Sequence, residues 1–189
     1  MAKKKVTKED LVLCALALSE QLGWAHVRMR DVAEEAGVSL SELREYFDDK
    51  FDVLAAFGRM IDRRVLENVE EDFESSARER LFDILMDRYE ILNEYRPAIL
   101  SVLQSFKYDP KQALLSCPYL CKSMNWMLEA AGIDTGGIKG AVKVAGLSGV
   151  YLKTLKVWAE DESADLARVM AALDKDLGRV ESAASSFGF

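Results

Sequence analysis

The sequence predicts an all-α protein of about nine helices, three short ones at the N-terminus followed by a larger helical bundle. Three observations carry that prediction. Apolar residues recur at steps of three and four almost throughout, while strict alternation is nearly absent. Only 3 Pro and 11 Gly punctuate 189 residues, too few turn signals for a sandwich or barrel. Half of the chain, 50%, is hydrophobic, enough for one large domain or a small module joined to a larger one.

The first helix begins after Thr7, whose hydroxyl caps the opening turn, with Asp10 answering it in a capping box. Its apolar face reads Leu11, Cys14, Ala15, Leu18 and Leu22, and Gly23 ends it in the left-handed conformation usual at helix ends. A short helix over Met29 to Ala36 turns Val32, Ala33 and Ala36 inward before Gly37 breaks it. Ser39 caps a third helix, Leu40 to Phe47, and Glu42 completes that cap. Asp48 and Asp49 close it and cap a fourth, Lys50 to about Phe73, with Leu54, Phe57, Ile61 and Leu66 on its inner side.

The polar stretch around Glu70–Asp72 and Ser75–Ser76 is the clearest internal boundary. Beyond it, Arg78 to Tyr95 carries Leu81, Leu85, Tyr89 and Leu92 in register. Pro97 suits the first turn of the next helix, which ends near Asp109-Pro110. Lys111 to Ala131 is helical with a break or kink at Pro118, Gly132 ends it, and Asp134 to Gly137 forms a turn. Two long helices close the chain: Ile138 to about Asp161, and Ser163 to about Val180 with Ser163 as cap. The tail from Ala183 to Phe189 is expected to fray. The resulting division is residues 1–55 and residues 56–189.

Composition narrows the chemistry. A single histidine, His26, excludes sites that need two imidazoles and weakens the case for Ser-His or Cys-His catalysis; no phosphate loop or nucleophile elbow is present, so no enzyme is expected. Cys14, Cys117 and Cys121 lack metal-ligand spacing and read as small buried hydrophobes. Neither a cofactor nor a metal is called for. The basic start (Lys3, Lys4, Lys5, Lys8) leads into an interrupted helical pattern rather than a secretory signal, and no apolar run is long enough for a membrane span. A cytoplasmic protein without stable membrane insertion is expected. The net charge of −7 argues against binding nucleic acid by bulk charge.

Two short helices joined by Gly37-Val38-Ser39 and braced by a third have the spacing of a helix-turn-helix, and equally that of an ordinary αα-corner. The particular residues go further. Gly23-Trp24, Arg30 to Ser39 (RDVAEEAGVS), Leu43, Tyr46-Phe47 and Lys50 resemble the DNA-binding domain of TetR-type transcriptional regulators, over about residues 9 to 57. The resemblance implies a TetR-like fold, a double-stranded DNA operator as partner, and a third helix that reads bases through Leu40, Ser41, Glu42, Arg44 and Glu45. It also implies that Ser39, Tyr46 and Lys50 hold phosphates. Their chemistry is apt, since a hydroxyl, a phenol and an ammonium all donate to phosphate oxygens. Three positions depart from the family pattern: Glu42 replaces a small hydroxyl residue, Arg44 an aromatic, and Arg28 the usual Ser or Thr, though Arg28 can itself pair with phosphate. From Ser39 to Lys50 two cations face four carboxylates, a net of −2 on the surface that would meet DNA. The basic N-terminal arm can compensate along the backbone or minor groove.

In the second half, Trp126 to Glu129, Val157 to Asp165, Met170 and Leu173-Asp174 resemble the ubiquinone-biosynthesis accessory proteins, whose TetR-like fold binds lipid rather than operator DNA. That resemblance implies the alternative function, a lipid- or isoprenoid-binding protein. Phe82, Leu85, Met86, Tyr89, Leu103, Phe106, Met124, Trp126 and Met127 are large, soft side chains on successive helices. They serve as ordinary core or line a pocket for a small apolar ligand. The stripe Val144, Leu147, Tyr151, Leu155, Trp158 lies beside small Ala141, Ala145 and Gly149. With Val169, Met170, Leu173, Leu177 and Val180 on the last helix, it predicts a homodimer through the two C-terminal helices.

Overall fold

A computed structural model describes residues 6–70, 74–163 and 165–186. Those residues form nine α-helices and no strand: α1 Lys8–Leu22, α2 Met29–Ala36, α3 Leu40–Arg44, α4 Lys50–Glu67, α5 Ala77–Asn93, α6 Arg96–Tyr108, α7 Pro110–Ala130, α8 Gly137–Glu160 and α9 Ala167–Ser186. A short 3-10 turn, Trp24–His26, follows α1. By packing, the chain divides into two units. One holds the residues up to Ile61 together with Leu92–Tyr119; the other holds Asp62–Ile91 and the chain from Leu120 onward.

In the first unit, α1 starts with the expected capping box: the Asp10 N–H donates to Thr7 Oγ1 at 3.1 Å, and the Thr7 N–H to the Asp10 carboxylate at 2.8 Å. Leu11, Ala15 and Leu18 are buried as read, but Leu22 is exposed and Val12 and Leu16 take the inner positions. The chain leaves Gly23 with φ +81° and ψ 134°, positive but extended rather than left-handed helical. Trp24 is buried just beyond, and its N–H donates to Ser101 Oγ (2.8 Å), which donates to the Ser19 carbonyl (2.9 Å). That chain of bonds ties α1 to α6, whose first turn holds Pro97 where a missing N–H costs nothing.

Several boundaries move. α3 is only five residues long because Glu45 and Tyr46 already turn back onto the carbonyls of Glu42 and Leu43. α4 stops at Glu67, short of Phe73, which lies outside the described residues. α7 runs unbroken through Pro118, and the division between the units falls just after it, at Tyr119. α9 starts four residues later than read and continues past Val180 through Ser186, so part of the expected frayed tail is helix.

The start of α9 has a particular cause. Asp161 is 1% exposed, and one of its oxygens accepts from the N–H groups of Arg168 (3.1 Å) and Val169 (3.2 Å). Its other oxygen takes the N–H and hydroxyl of Ser163, at 3.0 and 2.6 Å. Asp161 therefore supplies the acceptor for the first turn, and Ser163 supports it instead of capping. Hydrogen bonding by Ser163, ahead of the opposing effect of burial, holds the Asp161 pKa below the ordinary aspartate value. At the start of α8, Gly140 approaches the Thr135 backbone so closely that no Cβ fits there.

Candidate nucleic-acid interface and bundle core

The junction of α2 and α3 is built by Gly37, whose φ of +65° and ψ of 32° lie in the left-handed helical region that β-carbons disfavour. Its N–H and that of Val38 return to the carbonyls of Glu34 and Ala33, ending α2 and re-aiming the chain into Ser39. α3 then turns a single large side chain inward, Leu43 at 1% exposure, while Leu40, Ser41, Glu42, Arg44 and Glu45 face out. This is the disposition a helix needs to enter a groove.

Most of the predicted contact residues have specific neighbours. The Glu42 carboxylate accepts from the Ser39 N–H at 2.8 Å and its hydroxyl at 2.9 Å, while the Glu42 N–H donates to Ser39 Oγ at 3.2 Å. The carboxylate that departs from the family pattern is thus part of the helix cap. Arg44 pairs with Asp48 one turn on, so these two charges of the outward face largely cancel each other. Arg28 is exposed ahead of α2, its N–H bonded to the Asp31 carboxylate at 3.0 Å. The Tyr46 hydroxyl reaches the Val6 carbonyl only at 3.5 Å. Asp49 caps α4 by accepting from Phe51 and Asp52. Lys50 is half-buried: its ammonium donates to the Trp24 carbonyl at 2.9 Å and lies 5.3 Å from the Trp24 ring centroid. Burial pulls its pKa below the ordinary lysine value. Lys8 sits 5.0 Å over the Phe47 ring, whereas Lys3, Lys4 and Lys5 lie outside the described residues.

In the second unit, Leu85, Met86, Tyr89, Met124 and Met127 are each buried, and Phe82 is half-buried. Trp126 does not join them: 54% exposed, it sits on the outer side of α7 between inward-facing Met124 and Met127. Leu103 and Phe106 belong to the first unit and are half-buried there. A cleft of about 360 Å³ lies elsewhere, on Val65, Val69, Ile84 and Ala130 with Asn68, Asp83 and Asp87. Among the cysteines Cys117 is exposed, contrary to the expectation of burial, and Cys14 and Cys121 are half-buried.

The core of this unit also holds charges that hydropathy reading passed over. Arg88, 4% exposed, pairs with Asp62 and donates from Nε to the Tyr151 hydroxyl at 3.3 Å. Asp62 further accepts from Ser123 Oγ at 2.6 Å, and Tyr89 donates to the Tyr151 carbonyl at 3.0 Å while stacking on its ring. Burial opposes the Arg88 charge, but Tyr151 and Asp62 outweigh it and raise its pKa. Burial, first among the causes, also drives the Tyr89 pKa well up, so the phenol stays protonated. The sequence signal was present: Arg88 falls on the Leu81, Leu85, Leu92 stripe, where a charge must find a partner.

The fold is shared with solved structures of TetR-type regulators. Their solved structures cover nearly the whole chain. A TetR transcriptional regulator from Nitrosomonas europaea ATCC 19718 superposes with a TM-score of 0.73 at 24% identity, over 93% of this chain and 98% of that one. One from Rhodococcus sp. RHA1 gives 0.60 at 19% identity, over 94% and 99%. Thermus thermophilus FadR, a TetR-family repressor in complex with lauroyl-CoA, gives 0.57 at 17% identity, over 91% and 92%. The chain therefore has the TetR fold. No protein-family model and no curated protein sequence matches it.

Proposed function

We propose that this chain is a DNA-binding transcriptional regulator, reading an operator with residues 1–55 and responding to a ligand through the bundle of residues 56–189. The observation that carries the reading is α3: one leucine anchors it, Gly37 aims it, and its other five neighbouring positions face outward. Arg28, Ser39, Tyr46 and Lys50 flank it as phosphate donors. Lys50 keeps two of its three N–H bonds beyond the one made to Trp24. Fluorescence anisotropy with the DNA upstream of its own gene tests this. Binding that weakens steeply with salt, yet resists competitor DNA, is expected. Absence of binding at low salt overturns the reading.

The acidic character of Ser39 to Lys50 favours one alternative, a TetR-fold protein that binds lipid or isoprenoid without DNA. Recovery of a long isoprenoid or acyl lipid from the purified protein, together with no DNA binding, supports that alternative. For the regulator, a small apolar ligand is the natural effector; the Thermus thermophilus repressor is in complex with lauroyl-CoA. Such a ligand shifts DNA affinity only by binding one conformation better than another.

A homodimer through α8 and α9 completes the reading. On α9, Val169, Leu173 and Leu177 are already buried within the protomer, leaving Met170 and Val180 outside. On α8, Ala141, Val142, Ala145, Gly149 and Leu152 form an exposed face opposite buried Leu147, Tyr151 and Trp158, with Ile138 at its end 86% exposed. Such an exposed apolar face with small residues suits close packing against a symmetry mate. Ala145→Arg is expected to convert a dimer to a monomer in light scattering, with circular dichroism unchanged. A wild-type protein that is monomeric at tens of micromolar sinks the dimer.

A further inference from the structure

The side chains that α3 turns outward are not equivalent once their partners are counted. Glu42 is engaged by Ser39, and one nitrogen of the Arg44 guanidinium is engaged by Asp48. Glu45 differs from both. It lies at the C-terminal end of α3, is exposed, and its carboxylate has no hydrogen-bond or ion-pair partner among the described residues. A carboxylate in a major groove accepts and never donates. Only the cytosine and adenine amino groups donate there. Guanine and thymine offer acceptors, and adenine sets its N7 acceptor beside the amino group.

We infer that Glu45 is a specificity-determining residue of this surface, selecting a cytosine in each half-site by accepting from its N4 amino group. Discrimination comes as much from repulsion as from attraction: opposite guanine or thymine the carboxylate meets oxygen acceptors and is left desolvated without a donor. The same negative charge lies near phosphates and weakens binding to every sequence, so it trades affinity for selectivity. This inference rests on the DNA-binding reading above and adds to it the base that the surface prefers.

Selection from a randomised duplex library, with the full chain and its Glu45→Gln and Glu45→Ala variants, tests both levels separately. The wild-type protein should enrich a site with a fixed cytosine, and replacing that base should weaken anisotropy binding roughly tenfold or more. Both variants should lose most of that difference and bind all duplexes more tightly at low salt, with Gln moving the preference toward adenine. Because Glu45 is exposed, their unfolding midpoints should match wild type. If wild type enriches a site and both variants keep the same base ratios, the cytosine assignment is overturned while the regulator reading stands. If wild type enriches no sequence, the DNA-binding reading itself falls and this inference with it.

Discussion

Replacing Arg88 by methionine is expected to lower the free energy of unfolding by about 3–5 kcal/mol, the usual cost of breaking a buried ion pair from one side. The methionine fills much of the space, so the loss does not come from a cavity. It comes from Asp62, whose carboxylate keeps only Ser123 as a short polar partner among the described residues, in a site with little access to water. Tyr151 loses the Nε donor at the same time, and the guanidinium that lay 5.4 Å from its ring centroid is gone. Denaturant unfolding of three proteins decides the matter: wild type, Arg88→Met, and the double variant Asp62→Leu with Arg88→Met. The double variant should recover most of the loss, since neither charge then remains buried. A single variant within 1 kcal/mol of wild type, at about the resolution of such measurements, contradicts the account.

Asp161→Ala is expected to cost about 3 kcal/mol, because four donors lose one buried acceptor: two N–H groups opening α9, and the N–H and hydroxyl of Ser163. Asp161→Asn keeps the shape and part of the bonding, and should cost less. The pH dependence identifies the charge. The folded state holds the Asp161 pKa below its ordinary value, so the stabilisation is complete at pH values above the unfolded aspartate pKa of about 4. It is lost as the pH falls through the lower, folded pKa. The stability gap between wild type and Asp161→Asn should therefore be full at pH 7 and narrow below about pH 4. A gap of constant size from pH 7 to pH 3 shows that shape, not charge, makes the cap.

Legibility in the sequence followed the range of the interactions. Thr7 with Asp10 and Ser39 with Glu42 are partners three residues apart, and both caps form as their spacing predicts. Gly37 was legible for the same reason, since a left-handed residue between two short helices needs no distant partner. Asp161 was misread because its donors are seven and eight residues away, across a loop, while Ser163 offered a closer and more familiar cap. The candidate DNA-reading residues were found as positions, but their availability was not. That Arg44 pairs with Asp48 and that Lys50 folds onto the Trp24 carbonyl depend on side-chain directions that spacing leaves open.

By itself the sequence determined the all-α class, nearly every helix, the capped turn between α2 and α3, and a resemblance specific enough to name the TetR fold. These follow from periodicity, capping and turn chemistry, which act within a few residues of chain. Only the tertiary structure decided which helix faces are buried, that Trp126 turns outward while Arg88 and Asp62 turn inward, and which carboxylate at the end of α3 has no partner among the described residues. The physical reason is that burial and pairing are properties of distant segments brought together. Residues 62, 88, 123 and 151 share one polar cluster in the core, and no local pattern connects them.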